Sequence, residues 1–174
     1  MQLKHTLESV RRLTLSYRNF INSLSEEEFI KRPSADAWSY SEIYFHIFDA
    51  SLLSIRVIEN IDAGRDEAGR LSLIGRFILY FGVFPPFIKI KAPKHIINRL
   101  KSISKAEALS LIETFETKFI FVGNKTSDIC IENRVKHGAL GYLNRLDWFR
   151  FIEVHLKHHL KQIDRTEKAF LKLK

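Results

Sequence analysis

Three pairs in which a glutamate follows a serine by three residues, Ser25–Glu28, Ser39–Glu42 and Ser104–Glu107, read as capping boxes that mark the starts of helices. In this pair the hydroxyl oxygen accepts a hydrogen bond from the free backbone N–H of the third helical residue. The carboxylate reaches back to the N–H of the serine, so two orphan donors are satisfied together. The first pair opens only a short turn, because Arg32 precedes Pro33 and such a residue avoids helical geometry. The second opens a long helix whose core stripe is expected at Ile43, His46, Ala50, Leu53 and Val57, ending near Gly64. The third runs through Ile112, Phe115, Phe119 and Val122 and closes at Gly123-Asn124.

Two further helices are legible from periodicity alone. Leu3, Leu7, Val10, Leu13, Tyr17, Phe20, Ile21 and Leu24 recur at spacings of three and four, which predicts an amphipathic helix over 3–24. The last helix is expected from about Asn144 to near Leu173. Residues 124–144, with Gly138 and Gly141, read as loop, and Tyr80-Phe81 and Ile129-Cys130-Ile131 are too short to argue for a sheet. Four long amphipathic helices with almost no strand signal predict an all-α four-helix bundle in a single domain covering 1–174. Fourteen phenylalanines point to a core or pocket built largely from aromatic rings.

The stretch 71–93 is strongly apolar, yet Arg76, Gly82 and Pro85-Pro86 interrupt it, so it falls short of the roughly twenty continuous apolar residues of a membrane span. It reads as an apolar insertion between the second and third long helices that covers one end of the core, not as a stable membrane insertion. Lys89, Lys91, Lys94, Arg99, Lys101 and Lys105 follow as a basic run, a solvated edge that leaves room for peripheral membrane contact. The net charge of +8 is carried by lysines and arginines spread along all segments with no nucleic-acid motif, so nucleic acid is not the expected partner. The single cysteine, Cys130, excludes an internal disulfide, and the charged amphipathic opening is unlike a signal peptide. A cytoplasmic protein is expected.

The histidines carry the chemistry. His155 and His159 lie four apart on the last helix and share a stripe with Trp148, Ile152 and Gln162, while Arg150, Glu153, Lys157, Lys161, Asp164 and Lys168 are expected on the opposite side. His46 occupies the stripe of the second long helix. Unpaired imidazoles in a core are costly, and one metal ion satisfies all three at once. Imidazole suits a divalent transition metal, zinc or nickel foremost, with iron or copper as further choices. Three protein ligands leave positions open for water or substrate, the arrangement of a catalytic site. His158, three residues after His155, can ligate by spacing alone, whereas the helical face favours His159. Asp49 and Glu42 lie one turn from His46 and Gln162 one turn beyond His159; these are the candidates for orienting an imidazole or accepting a proton, although Glu42 already has its capping role. His137 and Tyr142, in the loop before the last helix, are close enough in sequence to reach the pocket, although a surface loop is the preferred reading of both.

Asp36-Ala37-Trp38-Ser39-Tyr40-Ser41-Glu42-Ile43 running into His46-Ile47-Phe48-Asp49 resembles the first metal motif of the DinB-like (DinB/YfiT) superfamily. His137-Gly138-Ala139-Leu140-Gly141-Tyr142-Leu143 with Trp148, His155, His158-His159 and Gln162-Ile163 resembles its second. The resemblance implies a four-helix bundle in up-down-down-up order, often dimeric, with one histidine ligand on the second helix and two, four apart, on the last: His46, His155 and His159. It implies a metal-dependent enzyme acting on a small molecule, either a transferase using a low-molecular-weight thiol or a hydrolase. The alternatives from other classes are a non-catalytic module that binds a metal or small ligand, and a purely structural polar core.

Overall fold

The computed structural model describes residues 3–62, 69–85, 99–126 and 133–171. The expected helix end at Gly64, Lys89, Lys91 and Lys94 of the basic run, Cys130 and the chain end beyond Leu171 lie outside the described residues. The elements, in order, are α1 (Leu3–Ser23), α2 (Glu26–Ile30), α3 (Tyr40–Asn60), α4 (Leu73–Phe81), α5 (Lys105–Lys125), β1 (Arg134–His137), β2 (Gly141–Asn144) and α6 (Arg145–Leu171). The pairs Ser25–Glu28, Ser39–Glu42 and Ser104–Glu107 form complete capping boxes, at the starts of α2, α3 and α5.

The long helices α1, α3, α5 and α6 make the bundle, and side-chain contacts fix their directions. The start of α3 lies by the residues preceding α5, where Ser41 Oγ donates to the Ile103 carbonyl (2.6 Å), and Ile58 and Val122 line one groove at the far ends. Those two helices are therefore parallel. Leu7 of α1 packs beside Gly123 near the end of α5, while Arg18 pairs with Glu116. Arg145 at the start of α6 pairs with Asp62 after α3, and Tyr40 meets Phe170 at the other end. So α1 and α6 run against the middle pair, the up-down-down-up order. In cross-section α1 and α3 each neighbour both α5 and α6.

The core is aromatic, as fourteen phenylalanines imply. Tyr17, Tyr44, Phe29, Phe48, Phe115, Phe119 and Phe149 are fully enclosed. Their rings meet edge to face or tilted at centroid separations such as 5.4 Å for Tyr17–Tyr44 and 5.7 Å for Phe48–Phe115. The two fully enclosed phenols each find an acceptor: Tyr44 Oη donates to the Tyr17 carbonyl (2.8 Å) and Tyr17 Oη to the Leu156 carbonyl (2.7 Å).

Three expectations need correction. The interior face of α3 is Tyr44, Ile47, Phe48, Ser51, Ser54, Ile55 and Ile58; His46, Ala50, Leu53 and Val57 flank it at partial exposure. Ser51 and Ser54 stand on the buried face, polar residues that an apolar pattern passes over, so the stripe lies one residue along from the expected one. Glu153 is not on the solvent side of α6 but fully buried, held by Arg150 Nη1 at 2.5 Å and Lys157 Nζ at 2.6 Å. Burial alone would raise its pKa, but Lys157, Ser9 and Arg150 together hold it below the usual carboxylate range. Finally, the stretch read as loop contains an antiparallel hairpin, pairing Arg134 with Asn144 through His137 with Gly141.

The hairpin positions the apolar insertion. Leu71 bridges to Gly141, the Ser72 N–H donates to the Leu140 carbonyl (2.9 Å) and the Tyr142 N–H to the Arg70 carbonyl (3.1 Å). Gly141 sits at φ +83°, and a Cβ there would lie 2.6 Å from the Arg70 oxygen, so only glycine admits this close approach. Ser72 then caps α4, which ends at Gly82 in the left-handed region.

Candidate metal centre

His46 is half-buried in the second turn of α3, a position fixed by the capping box at Ser39. Glu42, the carboxylate of that box, is also gripped by Arg32. Burial would raise its pKa; the bonds from Arg32 and Ser39 outweigh that and hold it low. Across the seam between helices, α6 presents His155 and His159, both buried and one turn apart. The three rings converge, with centroids 5.3 Å apart for His46–His155, 4.8 Å for His46–His159 and 4.5 Å for His155–His159. One ring nitrogen from each lies within 4.8 Å of the others.

The donor set fits a divalent transition metal. Burial lowers the pKa of His46 to about 4, and burial followed by the neighbouring imidazoles puts His155 and His159 well below the usual value. All three are thus neutral at physiological pH, the form in which imidazole ligates. Gln162 Oε1 lies 2.7 Å from His159 Nδ1. A carbonyl oxygen only accepts, so Nδ1 carries the proton and Nε2 keeps its lone pair. That lone pair faces His155 Nε2 at 2.9 Å, a separation that calls for a proton or a cation between them. Among the described residues the metal-competent group is these three histidines alone, with no carboxylate or thiol completing it.

A model of the DinB superfamily matches residues 6–163. The chain belongs to the DinB superfamily. YfiT from Bacillus subtilis, described as a probable metal-dependent hydrolase with an unusual four-helix bundle topology, superimposes at a TM-score of 0.70 with 9% identity, covering 96% of this chain and 86% of YfiT. TT2238, described as a four-helix bundle protein, superimposes at 0.57 with 16% identity over 94% of this chain and 96% of its own. A comparison with curated proteins gave no match. The histidine cluster of this DinB chain joins two elements of the shared bundle, α3 and α6.

Around that cluster the DinB bundle supplies mostly aromatic walls. Trp38 lies against His46 (5.3 Å between centroids), and Phe151 stacks on His155 at 5.4 Å and 17°. His158 lies between Phe84 (4.7 Å between centroids) and His159 (5.0 Å), and it is not a member of the metal-competent group. Of the three polar candidates, only Gln162 touches a histidine of the cluster. Asp49 is engaged by Arg99 through two bonds of 2.9 and 2.7 Å, and Glu42 by Arg32 and Ser39.

His137 departs from its expected place on a surface loop. It ends β1, packs on Phe151 (4.5 Å) and Trp148 (5.3 Å), and its Nδ1 accepts from the N–H groups of Ala139 and Leu140, both at 3.2 Å. It thus stands one ring away from His155. Burial lowers its pKa to about 4. Its sequence signals are its position two residues before an alanine in a glycine-marked turn and its place at the head of the stretch that resembles the second family motif.

Proposed function

We propose that His46, His155 and His159 hold one divalent transition metal and that the protein is a metal-dependent enzyme acting on a small molecule. The observation that carries this reading is the meeting of three neutral imidazoles from two helices with no other ligand among the described residues. A structural ion would be enclosed by a fourth protein donor; three donors suit a site that keeps a position for a reactant. The bound ion would supply Lewis acidity to a water, a thiol or a substrate oxygen. This chain's own residues do the rest. Gln162 fixes the tautomer and orientation of His159, and Trp38 and Phe151 shield His46 and His155 from bulk water. The description of YfiT as a probable metal-dependent hydrolase supports water as the nucleophile, and the family resemblance supports a low-molecular-weight thiol equally well.

Elemental analysis of the purified protein tests the metal assignment. One equivalent of zinc, nickel, iron or copper is expected, falling sharply in His46→Ala, His155→Ala and His159→Ala. Full retention in His46→Ala would sink the assignment. Cobalt substitution separates the two chemistries: a thiol that binds the metal shifts the visible spectrum, whereas a hydrolase turns over esters or amides without that shift.

A further inference from the structure

The ring cluster beside the metal centre holds two N–H groups that find no acceptor among the described residues. His137 Nδ1 accepts from the N–H groups of Ala139 and Leu140, so the proton of the neutral ring is on Nε2. That Nε2–H makes no hydrogen bond among the described residues, and the ring is half-buried, not sealed. The second group is Trp148 Nε1–H, enclosed and unpartnered on a residue only 5% exposed. The two rings are 5.3 Å apart, and both contact Phe151, His137 at 4.5 Å and Trp148 at 5.9 Å. Native interiors seldom leave such donors unmatched, so the cluster is short of an acceptor that the described residues do not supply.

The turn that grips His137 does not explain the free nitrogen. Satisfying backbone N–H groups needs an acceptor only, and asparagine or aspartate serves there as well as histidine. What histidine adds is a donor on the far side of the ring. Held at Nδ1 by the turn and kept neutral by burial, the ring gives a hydrogen bond at Nε2 and cannot take one. Such a ring receives an oxygen without exchanging a proton with it. Phe151 stacks on His155 at 5.4 Å, so a single phenyl ring separates this donor from a metal ligand. After burial, the imidazoles of His46, His158 and His137 lower the pKa of His155, which sets His137 within electrostatic range of it. None of the four side chains His137, Trp148, Phe151 and His155 carries negative charge, and an anionic oxygen is the acceptor that suits such a wall.

We propose that His137 binds the reactant through Nε2–H, and that the small molecule taken by the metal centre carries a carboxylate a few bonds from the atom that meets the ion. This rests on the metal reading above and adds to it a second point of attachment, on the His155 side. Two fixed points, the ion and the imidazole, orient a small molecule where one would leave it free to swing.

Two hydroxamates test the proposal, because both chelate an open metal through the same two oxygens and only one ends in a carboxylate. On the cobalt-loaded protein, succinic monohydroxamate should bind about tenfold or more tightly than butyrohydroxamate, read from the visible spectrum. His137→Phe keeps a ring on Phe151 and removes the donor; it should erase that preference and leave the affinity for butyrohydroxamate unchanged. A second measurement needs no variant. In the zinc-loaded wild type, nitrogen-15 NMR should find the His137 proton on Nε2 and see its resonance move downfield with succinic monohydroxamate but not with butyrohydroxamate. Equal affinities, a preference that survives His137→Phe, or an Nε2 resonance indifferent to the carboxylate overturns the proposal and leaves the metal site standing. A cobalt spectrum that answers to neither hydroxamate, or cobalt that does not bind, overturns the reading of an open metal site and this inference with it.

Discussion

His137 makes the stability of this bundle depend on pH at a known point, and His137→Asn isolates the effect. In the folded protein Nδ1 is an acceptor for two backbone N–H groups and the ring is packed on Phe151 and Trp148, so the neutral form is required and the pKa falls to about 4. In the unfolded chain the same imidazole titrates near 6.5. The unfolded state therefore takes up the proton first, and the contribution, complete above pH 6.5, is lost as pH falls toward 4. Linkage gives a loss of about 2 kcal/mol between pH 7 and 5 and about 3 kcal/mol by pH 4. Asparagine places Oδ1 where Nδ1 was and keeps the bond to the Ala139 N–H in an Asx turn, but it does not titrate and forfeits the ring contacts. At pH 7 wild type should be the more stable by about 1 kcal/mol; by pH 5 the order should reverse. Urea denaturation followed by helical circular dichroism at pH 7, 6 and 5 measures this. Parallel stability curves for the two proteins would refute the reasoning, and an NMR titration placing the folded His137 near 6.5 would locate the error.

Gln162→Leu frees the His159 ring while leaving all three imidazoles in place; metal affinity should drop about 10- to 100-fold by competition with a chelator, with little change in melting temperature of the metal-free protein. Glu153→Leu strands Arg150 beside a buried apolar surface and should cost about 3–5 kcal/mol in urea denaturation, more than Arg18→Leu at the half-exposed pair with Glu116. Gly141→Ala forces a Cβ against the Arg70 oxygen at positive φ and should destabilise by about 1–3 kcal/mol, with earlier proteolysis between Arg70 and Ser72 as the second readout.

The helix starts were legible because a capping box is local: Ser39 and Glu42 need only each other and the first turn, whatever packs beyond. Burial is not local, and there the sequence misled. Along α3 two neighbouring stripes are both compatible with apolar spacing, and Ser51 and Ser54 conceal the buried one because an apolar pattern passes over polar residues. His46 consequently stands at a seam, not in a core, and a seam is where a histidine can face both a partner helix and a reactant. Glu153 looked solvated because the partners that allow its burial, Arg150 and Lys157, are charged as well and sit on the same helix. The hairpin was hidden by strands of four residues whose pairing is completed by the backbone of Arg70 to Ser72, some seventy positions earlier. His155 and His159 needed no tertiary information beyond helicity. Their spacing alone set them on one face.

The two phenol hydrogen bonds described in the core run in series, from Tyr44 on α3 to the backbone of α1 and from Tyr17 on α1 to the Leu156 carbonyl. Leu156 lies in the turn between His155 and His159, and its carbonyl is also the helical acceptor for the Leu160 N–H. That turn cannot fray alone, since opening it leaves the buried Tyr17 hydroxyl without an acceptor and so disturbs α1 and α3 as well. In hydrogen exchange the Leu160 amide should belong to the slowest class, lost with the whole bundle and not by local opening. An ion held there would then come and go through rotation of the imidazole side chains against a backbone that stays closed, and its residence time would be set by ring motion, independent of how often the helix ends unwind.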